Sequence, residues 1–145
     1  MTSISHSKTG IILVVRNFEE CVAFYRDLFG LSVMHEKVQG DFRLTCLEFG
    51  TSYLMIETEP PFPQTAHEKN VDQNPTKLRF NVPDIEAALK IVRAFGVDAQ
   101  IDEFDWGSTI NLTDPDGNRV GIRDERGFDS DSAPSSAAQP ARDAG

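Results

Sequence analysis

The chain is poor in the residues that most catalytic, metal and membrane motifs are made of. Its 145 residues include two cysteines, three histidines and one tryptophan. Cys21 and Cys46 form neither a disulfide framework nor a metal-binding spacing. Basic residues number 14 against 23 acidic ones, a formal net charge of -9. Binding a phosphate backbone needs a basic surface, so nucleic acid is not expected as the main partner. No apolar run approaches the roughly 20 residues of a membrane span, so no membrane partner is expected either. The opening MTSISHSKTG has no apolar h-region, and a cytoplasmic location follows as the expectation. A Gly-rich phosphate loop and a serine nucleophile elbow are both missing.

What is there points to a duplicated α+β domain. Asn17 opens a helical run, with Glu20 in capping-box position. Phe18, Val22, Tyr25, Leu28 and Phe29 recur at helical spacing, and Gly30 ends the run. A second helix opens at Asp84, carries Ile85, Ala88, Leu89, Val92 and Phe95, and ends at Gly96. Each helix follows a short strand, 11–15 or 78–82. Each precedes three more: 31–38, 42–49 and 52–58, then 97–103, 107–113 and 118–123. The pattern βαβββ thus occurs twice, which sets the fold before any single motif does. The expected division is a first module over 8–58, a linker over 59–75 and a second module over 76–126. Residues 127–145 are rich in Ser, Ala, Pro and Asp, and a disordered tail is expected there.

Two stretches, FEECVAFYRDLFGL at 18–31 and WGSTINLTDPDGNRVGI at 106–122, resemble signatures of the vicinal oxygen chelate family. That family includes glyoxalase I, bleomycin-resistance proteins and extradiol dioxygenases. The resemblance implies two modules pairing curved mixed sheets around a central cavity, and a homodimer. It also implies four metal-ligand positions, which fall here on Gly10, Lys77, Gly121 and either Met55 or Glu57. Glycine offers no side chain, Lys77 brings a cation, and Met55 is a soft ligand. Glu57 is the only candidate metal ligand, and one carboxylate does not make a site. The expected function is therefore glyoxalase- or bleomycin-resistance-like binding of a small organic ligand between the modules, without metal or other cofactor. The alternative is a metal-dependent lyase, isomerase or dioxygenase of the same fold. Whether any reaction is catalysed stays open.

Strand parity sharpens the expected site. Side chains alternate across a strand, so one parity packs on the helices and the other lines the cavity. Lys77, Arg79 and Asn81 share the open parity of the fifth strand, and Arg119, Gly121 and Arg123 that of the last. Thr109 and Asn111, Met55 and Glu57, and Cys46 and Glu48 take it on the strands between. The expected ligand contacts are Lys77, Arg79, Glu57, Met55, Trp106, Arg123, Glu48 and Asn111. Two readings of these charges stand side by side: a seat for an anionic or zwitterionic molecule, or an ion-paired network filling the space. Trp106 reads equally as core and as a ligand platform. Cys46 reads as a small filler, and Asp114 and Asp116 as hydrogen bonders of a DPDG turn.

Overall fold

Eight strands and three α-helices occur among the described residues, 3–58 and 72–132, of the computed structural model. The first repeat runs β1 (Gly10–Val14), α1 (Phe18–Ala23), β2 (Val33–Gln39), β3 (Phe42–Phe49) and β4 (Ser52–Glu57). The second runs β5 (Lys77–Val82), α2 (Ile85–Ala94), β6 (Ile101–Phe104), β7 (Gly107–Thr113) and β8 (Arg119–Asp124). Both sheets have the same strand order, β1-β4-β3-β2 and β5-β8-β7-β6. In the first, β1 lies parallel to β4 and the other neighbours are antiparallel. The fold is α+β, with two βαβββ modules.

The chain divides into two compact units. One is Met1–Thr76 together with Thr113–Arg119, and the other is Lys77–Leu112 with Val120–Gly145. Within the first, one parity of the sheet buries Leu47, Leu54 and Ile56 with Phe18, Val22 and Phe24 of the helical segment. Within the second, Leu78, Ile110, Val120 and Ile122 are buried, as are Ile85, Leu89 and Val92 of α2. Each such side chain contributes about 1.5–3 kcal/mol on leaving water.

The helices are held in different ways. Asp84 caps α2 itself, its carboxylate accepting from Ala87 N at 3.0 Å. The capping box expected at Asn17 does not form, and Asn17 makes no side-chain cap bond. Instead Asp116 Oδ1 accepts from the backbone N–H of Arg16 and Asn17, at 3.0 and 3.2 Å. Asn17 turns its amide outward to donate to the Pro115 carbonyl at 3.1 Å. After only six residues α1 passes into a π-helical turn, Phe24–Leu28. This turn carries Tyr25, fully buried, whose hydroxyl donates to Asp114 Oδ2 at 2.7 Å. Asp114 also accepts from the backbone of Asp116 and Asn118 and from the Asn118 amide, each at 2.9 Å. So the DPDG turn bonds its own backbone, as expected, and also anchors a helix some 90 residues earlier in the chain.

The tail expectation needs correction at its start. Glu125–Ser132 is helical and is named α3. Asp124 accepts from Arg126 N at 2.9 Å and from its guanidinium at 2.7 Å, which organises the first turn. Residues 133–145 and most of the expected linker, 59–71, lie outside the described residues.

Candidate functional site

The second sheet gathers most of the expected ligand contacts on one face. Lys77 and Arg79 stand two apart on β5, and Gly121 sits on the neighbouring β8. Where a Cβ of residue 121 would lie, Lys77 Cε is 3.0 Å away, Arg79 Nε 3.2 Å and Lys77 Nζ 3.5 Å. The missing side chain is therefore the space into which both cations fold. Asn111 of β7 accepts from Lys77 Nζ at 2.5 Å. Among the described residues Arg79 has no carboxylate partner.

Trp106 belongs to the same cluster. It lies in the β6–β7 turn, and the Arg123 guanidinium sits 4.9 Å from its ring centroid. Arg123 Nη2 also donates to the Trp106 carbonyl at 2.6 Å. The Arg79 guanidinium lies 5.7 Å from the same ring. Phe104 stacks on Trp106 with centroids 5.0 Å apart and planes within 5°. Thus Lys77, Arg79, Asn111, Trp106 and Arg123 come together. Arg123 is nearly buried, at 8 % exposure, because rings of Trp106 and Phe128 lie about its guanidinium.

Two side chains of the open parity are taken up by backbone carbonyls. Thr109 is buried, and its hydroxyl donates to the Ile122 carbonyl at 2.9 Å. Arg119 reaches away to the Pro75 carbonyl at 2.7 Å. Two contributors stand outside the expected ligand contacts. Phe104 pairs with Gly107 in the β6–β7 register, which puts it on the open parity, a signal within reach once the hairpin is aligned. Phe128 falls in the compositionally biased end, where nothing marks it as part of a helix.

Glu48, Met55 and Glu57 stand on the first sheet. Met55 is half-buried between Ile12 of β1 and Cys46 of β3, and Glu57 is half-buried between Val14 and Leu44. Glu48 is exposed opposite Tyr53. The surroundings of Met55 are sulfur-rich and apolar: Cys46 Sγ lies 3.9 Å from Met34 Sδ, and burial pushes the Cys46 thiol up. The helix-side groove of this sheet, about 280 Å³, includes Phe18, Glu19, Arg26 and Arg43. Its cations are already matched, Arg43 with Glu19 at 3.0 Å and Arg26 with Asp27 at 2.7 Å.

The family's metal positions do not fit a divalent cation. A side chain at Gly10 would strike the Tyr53 ring, which fills the space a ligand would need. The corresponding space at Gly121 holds an ammonium and a guanidinium. Among the described residues no three of His, Cys, Asp and Glu group as metal ligands. Hard cations need several oxygen or nitrogen donors, and cations repel them. Among the described residues no helix is long and apolar enough to cross a membrane.

Comparison with known proteins agrees with this architecture. The family model described as Glyoxalase/Bleomycin resistance protein/Dioxygenase superfamily matches residues 4–122. The chain resembles the trypanothione-dependent glyoxalase I of Leishmania major, with a TM-score of 0.68 and 18 % identity. That match covers 88 % of this chain and 93 % of the other. The fosfomycin resistance protein FosX of Listeria monocytogenes, solved with Mn(II) and dihydroxypropylphosphonic acid, gives 0.65 and 14 %, covering 83 % and 93 %. TnmS3, an antibiotic binding protein from Streptomyces sp. CB03234, gives 0.61 and 19 %, covering 86 % and 98 %. At these identities the likeness is one of fold. A search of curated proteins gives no match.

Proposed function

Since the chain belongs to the glyoxalase/bleomycin resistance protein/dioxygenase superfamily, we propose that it binds a small organic anion and does so without a divalent metal. The observation that carries this reading is the convergence of Lys77 and Arg79 over Gly121. A guanidinium fork and an ammonium together suit a carboxylate or a phosphate-like group. Asn111 positions the Lys77 end of the seat. TnmS3, named as an antibiotic binding protein, is a similar fold put to binding a small molecule. Glu48, Met55 and Glu57 stay in this proposal as ligand-facing residues of the first sheet. It also includes a homodimer, checked by sedimentation, and a cytoplasmic location.

The test is titration of the full chain with small carboxylates and with inorganic phosphate, followed by calorimetry and by Trp106 fluorescence. Saturable binding is expected, weakened by salt and abolished in the Lys77→Ala/Arg79→Ala double variant. Elemental analysis of the same sample is expected to find no stoichiometric Ni, Zn, Mn or Fe. Binding that survives the double variant, or that requires a bound metal, would overturn the reading.

A further inference from the structure

Sulfur is scarce in this chain, and most of it sits in one place. The sequence has two cysteines and three methionines, Met1 included. Met34, Cys46 and Met55 fall on three neighbouring strands of the first sheet, β2, β3 and β4. Met55 stands directly opposite Cys46 in the β3–β4 register, so both side chains take the same face, with Cβ atoms about 5 Å apart. Met34 reaches that face through a break in the pattern. Val33 pairs with Leu47 and His35 with Cys46, which leaves Met34 as the extra residue of a β-bulge. A bulge re-aims a side chain, and here Met34 Sδ comes 3.9 Å from Cys46 Sγ. Cys46 is 2 % exposed and Met34 40 %, so an ion can reach the thiol past Met34.

From this cluster we infer a site for a soft monovalent cation, Cu(I) or Ag(I), held by the Cys46 thiolate and the thioethers of Met34 and Met55. The site goes beyond the anion-binding reading and uses neither Lys77 nor Arg79. Thiolate and thioether ligands select soft ions over the oxygen-loving ones. Metal–sulfur bonds of about 2.3 Å in a trigonal arrangement place the sulfurs about 4 Å apart. The spacing of 3.9 Å between Cys46 and Met34 already matches. Burial pushes the Cys46 thiol up, against a smaller pull from the Lys8 charge. The thiol therefore keeps its proton until an ion displaces it. The S–H bond then breaks, the proton leaves to water and a sulfur–metal bond forms. One thiolate and one monovalent ion leave the ligand set neutral, which a buried cysteine tolerates. The two thioethers add neither charge nor a hard donor, so nothing in the set favours a divalent ion.

The test delivers Cu(I) anaerobically to the reduced full chain in competition with the chromophoric chelator bicinchoninate, and reads the metal's surroundings by X-ray absorption. One Cu(I) per chain in a sulfur-only shell is expected, and an equal concentration of Zn(II) should not displace it. Met34→Leu and Met55→Leu conserve volume, which a folded chain tolerates. Each should weaken binding about tenfold or more, as losing even an outer-shell partner does. Cys46→Ala should abolish binding, and Cys21→Ala should leave it unchanged. Unchanged affinity in both methionine variants overturns the site, because a cysteine would then be binding the metal alone. Nitrogen or oxygen in the shell overturns it too, as does displacement by Zn(II). So does the absence of binding, or binding that follows Cys21 rather than Cys46.

Discussion

α1 and α2 occupy the same place in the repeat, yet they are kept in place by different means. α2 has ten residues, a side-chain cap from Asp84 and a regular end at Gly96. α1 has six, no cap of its own and a π-helical continuation that aims Tyr25 at a carboxylate. The second helix is stabilised by neighbours in sequence. The first depends on Asp114 and Asp116, nearly 100 residues away in the chain. The open faces of the sheets differ too. The first presents Ile12, Met55 and Cys46, and the second presents Lys77, Arg79 and an aromatic pair. A duplication can therefore preserve strand order while its two copies divide the tasks of cohesion and recognition.

This contrast can be broken by substitution. Asp114→Ala should have the largest effect, a loss of roughly 3–5 kcal/mol, because it orphans a buried hydroxyl, two backbone amides and the Asn118 side chain together. Chemical denaturation measures it. Next, Tyr25→Phe should cost about 1–3 kcal/mol, leaving one carboxylate oxygen short of a donor. Asp84→Ala should cost only about 1 kcal/mol, since a local cap is all that is lost. If Asp84→Ala proves as damaging as Asp114→Ala, the two helices do not differ as described.

Alkaline pH sharpens the same comparison, between Tyr25→Phe and Asp84→Ala in expected size. Burial and the nearby Asp114 carboxylate push both the Cys21 thiol and the Tyr25 phenol well above their ordinary values. The folded chain thus keeps protons that the unfolded chain releases. Stability is fully present below the ordinary thiol and phenol ranges, about 8.5 and 10, and is lost as pH rises beyond them. All cysteines and tyrosines of the sequence lie in the first repeat, so the loss reports on that unit. Denaturant midpoints measured from neutral to pH ~11 should stay flat and then fall. Cys21→Ala should remove the earlier part of the fall, and Tyr25→Phe the later part.

The repeat, both helices and the strand order were legible because they rest on local periodicity and on spacing. Asp84 was recognisable as a cap for the same reason. Asn17 was misread because its backbone partner, Asp116, is remote in sequence, and no local pattern reports such a partner. Lys77, Arg79, Asn111 and Arg123 were found by strand parity, which fixes the face a side chain takes. Parity does not say whether a side chain then folds back into the protein. Thr109 turned to a carbonyl of its neighbour strand, and Arg119 to Pro75. Phe128 was missed because composition averages over a window, and one aromatic in a polar stretch leaves the average polar.

The Thr113–Arg119 turn carries a consequence for how this chain can be cut and rejoined. It is encoded in the second repeat but packs in the first unit. A break between β4 and β5 would leave α1 on one peptide and its carboxylate anchors on the other. The two repeats are thus complementary fragments rather than spare copies. Either repeat expressed alone gives up its share of these bonds.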